Sequence, residues 1–549
     1  MKRRHFLKNV SAAVSGGMMI NGMPIEAMSN TGEMQRLAAS SSNEKVLVII
    51  QLHGGNDGLN AIIPINQYSQ YYNLRPNIAI PDRGKRSYIP LDSTLSEDKN
   101  AGLHPDMIGI KELYDRGRAS IIQSVAYENV NGSHFRSRDI RFMGGGYDDY
   151  IGSGWMGRYL DHLYPDYPDA YPTSGMPDPL GLEIGNAVSL AFHRANGIPT
   201  AVSVNNPQQF YNLINSVGGE PPASVADTHY GHELQWIMDI EKKSNQYAGR
   251  LREVFEKGSN SDVQYPEKYP YSTPASKANN PLAPQLKMIA RLLSGGVQTK
   301  IFLARIGGFD THASQVEEYD ATMGSHAALL YHLSEAIKAF QNDLLKLGLE
   351  DRVLTVTTSE FGRRAASNGS WGTDHGTAAP MLMFGSGVKA GITGINPDLY
   401  DLDRNNIRMQ YDYRQVFGTV VQDWFEASPD ALQKTRFEDF VYGDQKLDLI
   451  GNPVLSSKDT FVHTRFFLSD CVPNPASVLT TFTYRINTKA LVRLHLLDSQ
   501  GRIVKYLFRG IQLPGEVQHT LDVSDLSPGI YKLMLQSTGY KTFKSLLVQ

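Results

Sequence analysis

The chain has 549 residues, 41% of them hydrophobic and 20% charged, which excludes a disordered polypeptide. Its 53 Lys and Arg against 56 Asp and Glu give a net charge of −3, so no global basic bias points to nucleic acid or an anionic membrane. Cys471 is the single cysteine, which rules out an intramolecular disulfide and any thiolate-cluster metal site. A bound metal would have to take His, Asp, Glu or Asn ligands. No run of about 20 apolar residues marks a membrane span.

The first element is an export signal, read over residues 1–30. A basic head, Met1 to Lys8, precedes a short stretch of small and apolar residues from Val10 to Ile20, too short and Gly-rich to span a membrane. Arg3-Arg4 followed by Phe6-Leu7-Lys8 resembles a twin-arginine signal, and an ordinary Sec signal is the other reading. Residues 31–43 read as a flexible leader.

Residues 44–451 read as one large unit. Near-continuous apolar runs at Lys45 to Leu52, Ala119 to Val125, Lys300 to Ile306, Arg352 to Thr358 and Met381 to Phe384 mark strands buried on both faces. A helix is predicted from Gly324 to Leu347, with Leu330, Leu333, Ile337, Phe340 and Leu344 at spacings of three and four. The alternation predicts an α/β fold with a mostly parallel sheet and helices on both faces. Residues 164–284 are rich in Pro, Tyr, Asn and Gly and read as an insertion or cap.

Residues 452–471 read as a linker. Residues 472–549 then show short alternating segments separated by turn signals such as Pro514-Gly515 and Ser527-Pro528-Gly529, which predicts a small antiparallel β-sandwich. Pro473-Asn474-Pro475, Asp498 to Arg502, Leu526 to Tyr531 and Lys544 to Val548 resemble the C-terminal sorting domain of type IX secretion cargo. That resemblance implies passage through the periplasm to the cell surface or the medium, with the export and type IX machinery as partners. Such cargo normally reaches the periplasm unfolded through Sec, which is in tension with a twin-arginine signal.

Four polar clusters sit at or near the strand ends: LHGGNDGLN (52–60), GGFDTH (307–312), TSEFGRR (358–364) and GTDHGT (372–377). In an open α/β sheet, ligands bind outside the carboxyl ends of the strands. Three clusters would converge there, and the fourth is close in sequence. Asp57, Asp310, His312, Glu360, Asp374 and His375 place four carboxylates together, and their repulsion is relieved by one or two divalent cations. His and carboxylate ligands suit Zn, Mn, Mg or Ca. In Asp310-Thr311-His312 an extended backbone puts the outer two side chains on one face. Asp374 and His375 point apart, so they serve different ions or one supports the other. Asn56 and Arg363 are candidates for supporting or substrate-binding roles.

A fifth cluster, NGSHFRSRD (131–139), follows the second strand. Ser133 has two readings, a helix cap or a nucleophile activated at a helix N-terminus. Arg136 and Arg138 suit an anionic substrate, and His134 a further ligand or a general acid.

The motifs GGNDG, SHFRSRD, GGFDTH, EFGRR and GTDHGTAAP, in this order, resemble a family of exported bacterial proteins of unknown function related to the alkaline phosphatase and sulfatase superfamily. The resemblance implies an alkaline-phosphatase-like fold and ester hydrolysis at one or two metals. It implies Ser133 at the nucleophile position, Asp310 and His312 on one metal, Glu360 on the other, and His375 as the late histidine. The sequence departs from the superfamily at Asp310-Thr311-His312, where an Asp-x-x-x-His spacing is usual, and at Glu360-Phe361, where an Asp-His pair is usual. Cys471 lies outside the unit, so a cysteine-derived nucleophile is excluded. The expected function is an exported metal-dependent hydrolase acting on a phosphate or sulfate ester, with an anionic ester or glycan-linked small substrate. The alternative is a non-catalytic surface binding or scaffold protein with a degenerate metal site, its Tyr-rich stretch from Tyr164 to Tyr271 stacking on glycans.

Overall fold

The computed structural model describes residues 44–451 except 166, 169, 196 and 205–246, and residues 466–549 except 470, 487–489, 499–501, 514 and 538–539. It also describes a strand pair, Met19–Ile20 with Met23–Pro24. The expected signal (that pair aside), the leader and most of the expected linker lie outside the described residues. So does the 205–246 part of the expected insertion. The chain divides into two compact units, Met1–Tyr114 with Arg118–Asn452, and Asp115–Gly117 with Pro453–Gln549.

The apolar runs of the first unit form one mixed, mostly parallel sheet. Its strands in chain order are β1 (Val46–His53), β2 (Ala119–Ala126), β3 (Gly181–Ile184), β4 (Ala201–Val204), β5 (Ile301–Gly307), β6 (Val353–Thr358), β7 (Ala379–Phe384), β8 (Gly391–Thr393) and β9 (Tyr411–Asp412). Across the sheet the order is β8-β2-β7-β6-β1-β5-β3-β4, and β9 also pairs with β2. β1 lies at the centre, parallel to both β5 and β6.

Period-2 alternation explains why β1 reads as a continuous apolar run. Val46, Val48, Ile50 and Leu52 enter the core on one face, while Leu47 and Ile49 enter the core on the other. Burying such a side chain contributes about 1.5–3 kcal/mol. The predicted long helix spans Ser325–Lys346. Its five predicted apolar positions, Leu330, Leu333, Ile337, Phe340 and Leu344, all lie in the first core. Helix Ala283–Ser294 packs into the same core, while helix Trp155–Leu163 and the segment from Tyr413 to Trp424 fill the second. Helices therefore cover both faces.

Two features differ from the sequence reading. β3 and β4 belong to the segment read as a cap, yet they extend the main sheet beside β5. β7 is antiparallel to both of its neighbours, β6 and β2. The end at which the chain enters β7 therefore lies at the same edge as the ends at which it leaves β1, β5 and β6.

Among the described residues of the second unit, seven strands form two antiparallel sheets. Their inward faces bury Phe482, Tyr484, Ile486, Val492, Leu494, Leu496, Leu533, Leu535, Leu546 and Val548 with Cys471. No helix among the described residues is long and apolar enough to cross a membrane.

Candidate metal centre

The reversal of β7 decides how the edge is built. Residues 372–377 precede β7, yet the strand's direction brings them to the loops that follow β1, β5 and β6. The backbone joins these loops directly. Gly308 and Phe309 donate to the His53 carbonyl at 3.2 and 3.1 Å, Thr373 to Thr311 at 3.1 Å, and Arg364 to Asp374 at 3.1 Å. Gly54 donates to Glu360 Oε1 at 2.8 Å. Gly54 has φ +123°, and a Cβ there would stand 2.2 Å from the Asp310 backbone nitrogen. Only glycine permits that approach.

Arg363 is fully buried and joins the same loops from within. It donates to the carbonyls of Gly54, Gly55 (2.8 Å), Phe309 (3.1 Å) and Thr373 (2.9 Å), and to Asp310 Oδ1 at 2.7 Å. Its donors are used on backbone and on Asp310, so it aims Asp310 and leaves little for a substrate.

Asp310 is the focus of three imidazoles. His134 Nε2 lies 3.5 Å from Asp310 Oδ2, while His312 Nε2 and His375 Nε2 lie 3.3 and 3.4 Å from Asp310 Oδ1. Each ring is oriented from its other nitrogen. His134 Nδ1 meets Glu360 Oε1 at 2.7 Å, His375 Nδ1 meets the Gly132 carbonyl at 2.8 Å, and His312 Nδ1 faces Asp374 Oδ1 at 3.5 Å. A carboxylate or carbonyl behind one ring nitrogen with the other free to ligate is the usual arrangement of a metal-bound histidine. The ligand atoms of His134, Asp310 and His375 all lie within 4.8 Å of one another.

The distances to Asp310 exceed those of good hydrogen bonds. His134 Nε2 and His53 Nδ1 are moreover buried without any hydrogen-bond partner. His53 Nδ1 stands 3.6 Å from Glu360 Oε1. Buried polar atoms left this way are costly, and a cation between them and the carboxylates removes the cost. Protonation states fit as well. Burial would raise Asp310, but Arg363, then His134 and His312, hold it below the ordinary carboxylate value. Burial lowers His375. An ionised Asp and a neutral His are the ligating forms. The donor set of imidazoles and carboxylates suits a divalent ion.

The other sequence candidates go elsewhere. Asp57, expected as a ligand, is fully buried and already neutralised. Arg75 Nη1 donates to both its oxygens at 2.9 and 2.8 Å, and Gln315 Nε2 donates to Oδ2 at 2.7 Å. Burial alone would raise this carboxyl, but Arg75 holds it low. Asn56 turns inward too, with Oδ1 3.1 Å from His326 Nε2. Glu360 and Asp374, expected as ligands, stand behind His134 and His312. Ser133, expected as a nucleophile, caps the helix His134–Met143 through the Arg136 N–H at 3.5 Å. Arg136, expected to grip substrate, donates to the carbonyls of Tyr147 and Asp149 and stacks on Tyr150. Arg138 stays on the site's side, paired with Asp139 at 2.9 Å, and its charge acts on His53. Sequence reasoning missed His53, Arg75, Gln315 and His326. Of these, His53 alone carried a signal, as the last residue of a buried strand.

Residues 232–419 match the family described as protein of unknown function, DUF1501. The chain thus carries a DUF1501 region that includes the GGFDTH, EFGRR and GTDHGT motifs. Residues 471–549 match the secretion system C-terminal sorting domain, which indicates export to the cell surface or the medium. No curated protein matches the sequence. Several solved structures are similar. Ps i-CgsB, in complex with k-i-k-neocarrahexaose, is 11% identical with TM-score 0.32, over 81% of this chain and 83% of that one. PsFucS1 sulfatase from Pseudoalteromonas sp. is 10% identical with TM-score 0.30, over 90% and 88%. An alkaline phosphatase superfamily protein from Vibrio parahaemolyticus is 11% identical with TM-score 0.28, over 92% and 82%.

Proposed function

We propose that the DUF1501-bearing unit is a metal-dependent hydrolase of a phosphate or sulfate ester. The observation that carries this reading is the convergence of His134, His312 and His375 Nε2 on Asp310, with each Nδ1 held from behind. Those four residues would hold the ion, with Glu360 and Asp374 fixing His134 and His312. A bound divalent ion polarises ester oxygens and lowers the pKa of water. Arg363 keeps Asp310 ionised and in place. With Ser133 Oγ used as a helix cap, water is the nucleophile. Arg138, whose charge reaches His53, would add positive potential for the negative charge that develops on the ester.

The test is elemental analysis of the purified protein together with a panel of phosphate and sulfate esters. Bound divalent metal with turnover that disappears in His375→Ala supports the proposal. Bound metal without turnover on any ester leaves the reading of a surface binding protein with a structural ion. Absence of metal after dialysis against Zn, Mn, Mg and Ca refutes both.

A further inference from the structure

Lys277 belongs to none of the sequence motifs. It ends the short turn Ala275–Lys277, and its backbone is fixed on both sides. Its N–H donates to the Pro274 carbonyl at 2.8 Å, and its carbonyl meets His332 Nε2 at 2.8 Å. The side chain runs to Gly308, two residues before Asp310. A Cβ at Gly308 would stand 1.8 Å from Lys277 Nζ, and Gly308 has φ +104°. A side chain at that position would displace the flexible end of Lys277, which lies against the GGFDTH loop.

The ammonium carries three donors. Among the described residues, Nζ has neither a hydrogen bond nor an ion pair, although the side chain is half-buried. Four of the neighbouring cations are engaged within the chain, while Arg364, whose charge acts on Asp374, is exposed. Arg363 holds carbonyls and Asp310, Arg136 holds carbonyls, Arg138 holds Asp139, and Arg305 holds Gln51 and Glu183 at 3.0 and 3.2 Å. Partial burial lowers the amine's pKa, as expected for a cation that has lost part of its hydration. Such a group is stabilised by an anion from outside the chain.

We propose that Lys277 is an anion-binding residue of this site, its ammonium taking a charged oxygen of a tetrahedral phosphate- or sulfate-class group presented beside Asp310. The proposal rests on the ester-hydrolase reading. It names a side chain outside the motifs that meets the non-bridging oxygens.

The experiment is calorimetric titration of the full chain with inorganic phosphate and with sulfate, with and without added Zn or Mn. Wild type, Lys277→Gln and Lys277→Arg are compared, and metal content is measured in parallel. Lys277→Gln is expected to weaken anion affinity by about tenfold or more at unchanged metal content, and Lys277→Arg to recover part of it. Equal affinity in Lys277→Gln overturns the proposal. Wild type that binds neither anion under any condition overturns it as well. Failure of the metal measurement alone sinks the hydrolase reading, while the metal-free titrations still judge Lys277.

Discussion

Asp57 and Asp310 leave neighbouring strands at the same sheet edge and meet opposite fates. Asp57 is satisfied by the chain itself, through Arg75 and Gln315. Asp310 is half-exposed, and three imidazole nitrogens face it at distances too long for good hydrogen bonds. The contrast teaches that a carboxylate at a strand end is a candidate ligand only where the chain leaves part of it exposed and unsatisfied. The two regions are also linked. Thr311 and Thr373 turn down beside the upward-facing Asp310, His312 and Asp374, and both hydroxyls donate to Gln315 Oε1 at 2.9 Å. Gln315 in turn holds Asp57. The buried layer is a floor that positions the exposed one.

The sharpest way to break this comparison is to remove the counter-charge below. Arg75→Met leaves Asp57 buried and unpaired and is expected to cost about 3–5 kcal/mol in urea denaturation. A loss below about 1 kcal/mol would show that Asp57 is not held as described. The exposed region should behave in the opposite way. Added metal at a hundredfold excess over its Kd should stabilise wild type by about 2.7 kcal/mol, seen as a rise in Tm. Asp310→Ala should show no such rise.

Next in size is pH. Burial lowers His326 to about 4 against its ordinary 6.5, while the Asp57 charge opposes the shift. The folded form thus stays neutral while the unfolded chain gains a proton, so stability falls as pH drops from about 6.5 to about 4. The slope is about 1.4 kcal/mol per pH unit for this group, and His326→Gln should flatten it. A denaturation series over that range that is already flat in wild type would contradict the burial. The smallest effect belongs to Ser133→Ala. Loss of the cap should cost about 0.5–2 kcal/mol and leave ester turnover intact. Abolished turnover in a folded variant would restore Ser133 as the nucleophile.

Much of the frame was legible in the sequence, because burial on both faces leaves continuous apolar runs and a long helix keeps its spacing. The shared face of Asp310 and His312 was legible too, since the outer residues of an extended Asp-x-His point the same way, and His312 Nε2 lies 3.3 Å from Asp310 Oδ1. The direction of β7 was not, because a short apolar run carries no sign of its polarity. The fate of Asp57 was hidden because Arg75 comes from a separate loop that no pattern connects to it. The contacts of Arg136 were hidden for a related reason, since the carbonyls that hold it lie in a neighbouring loop without a motif. His53 was overlooked as the end of a strand.

The site is also a record of completed folding. His134 and Glu360 meet across 226 residues of sequence, and Gly132 and His375 across 243. No single segment of the chain contains the set, and it forms only after the central strands and the reversed β7 are all paired. Loop closures of this length come late and slowly. Tight metal uptake would therefore follow folding rather than guide it. A chain threaded unfolded through a membrane would reach the far side empty and would acquire its ion from whatever that compartment supplies.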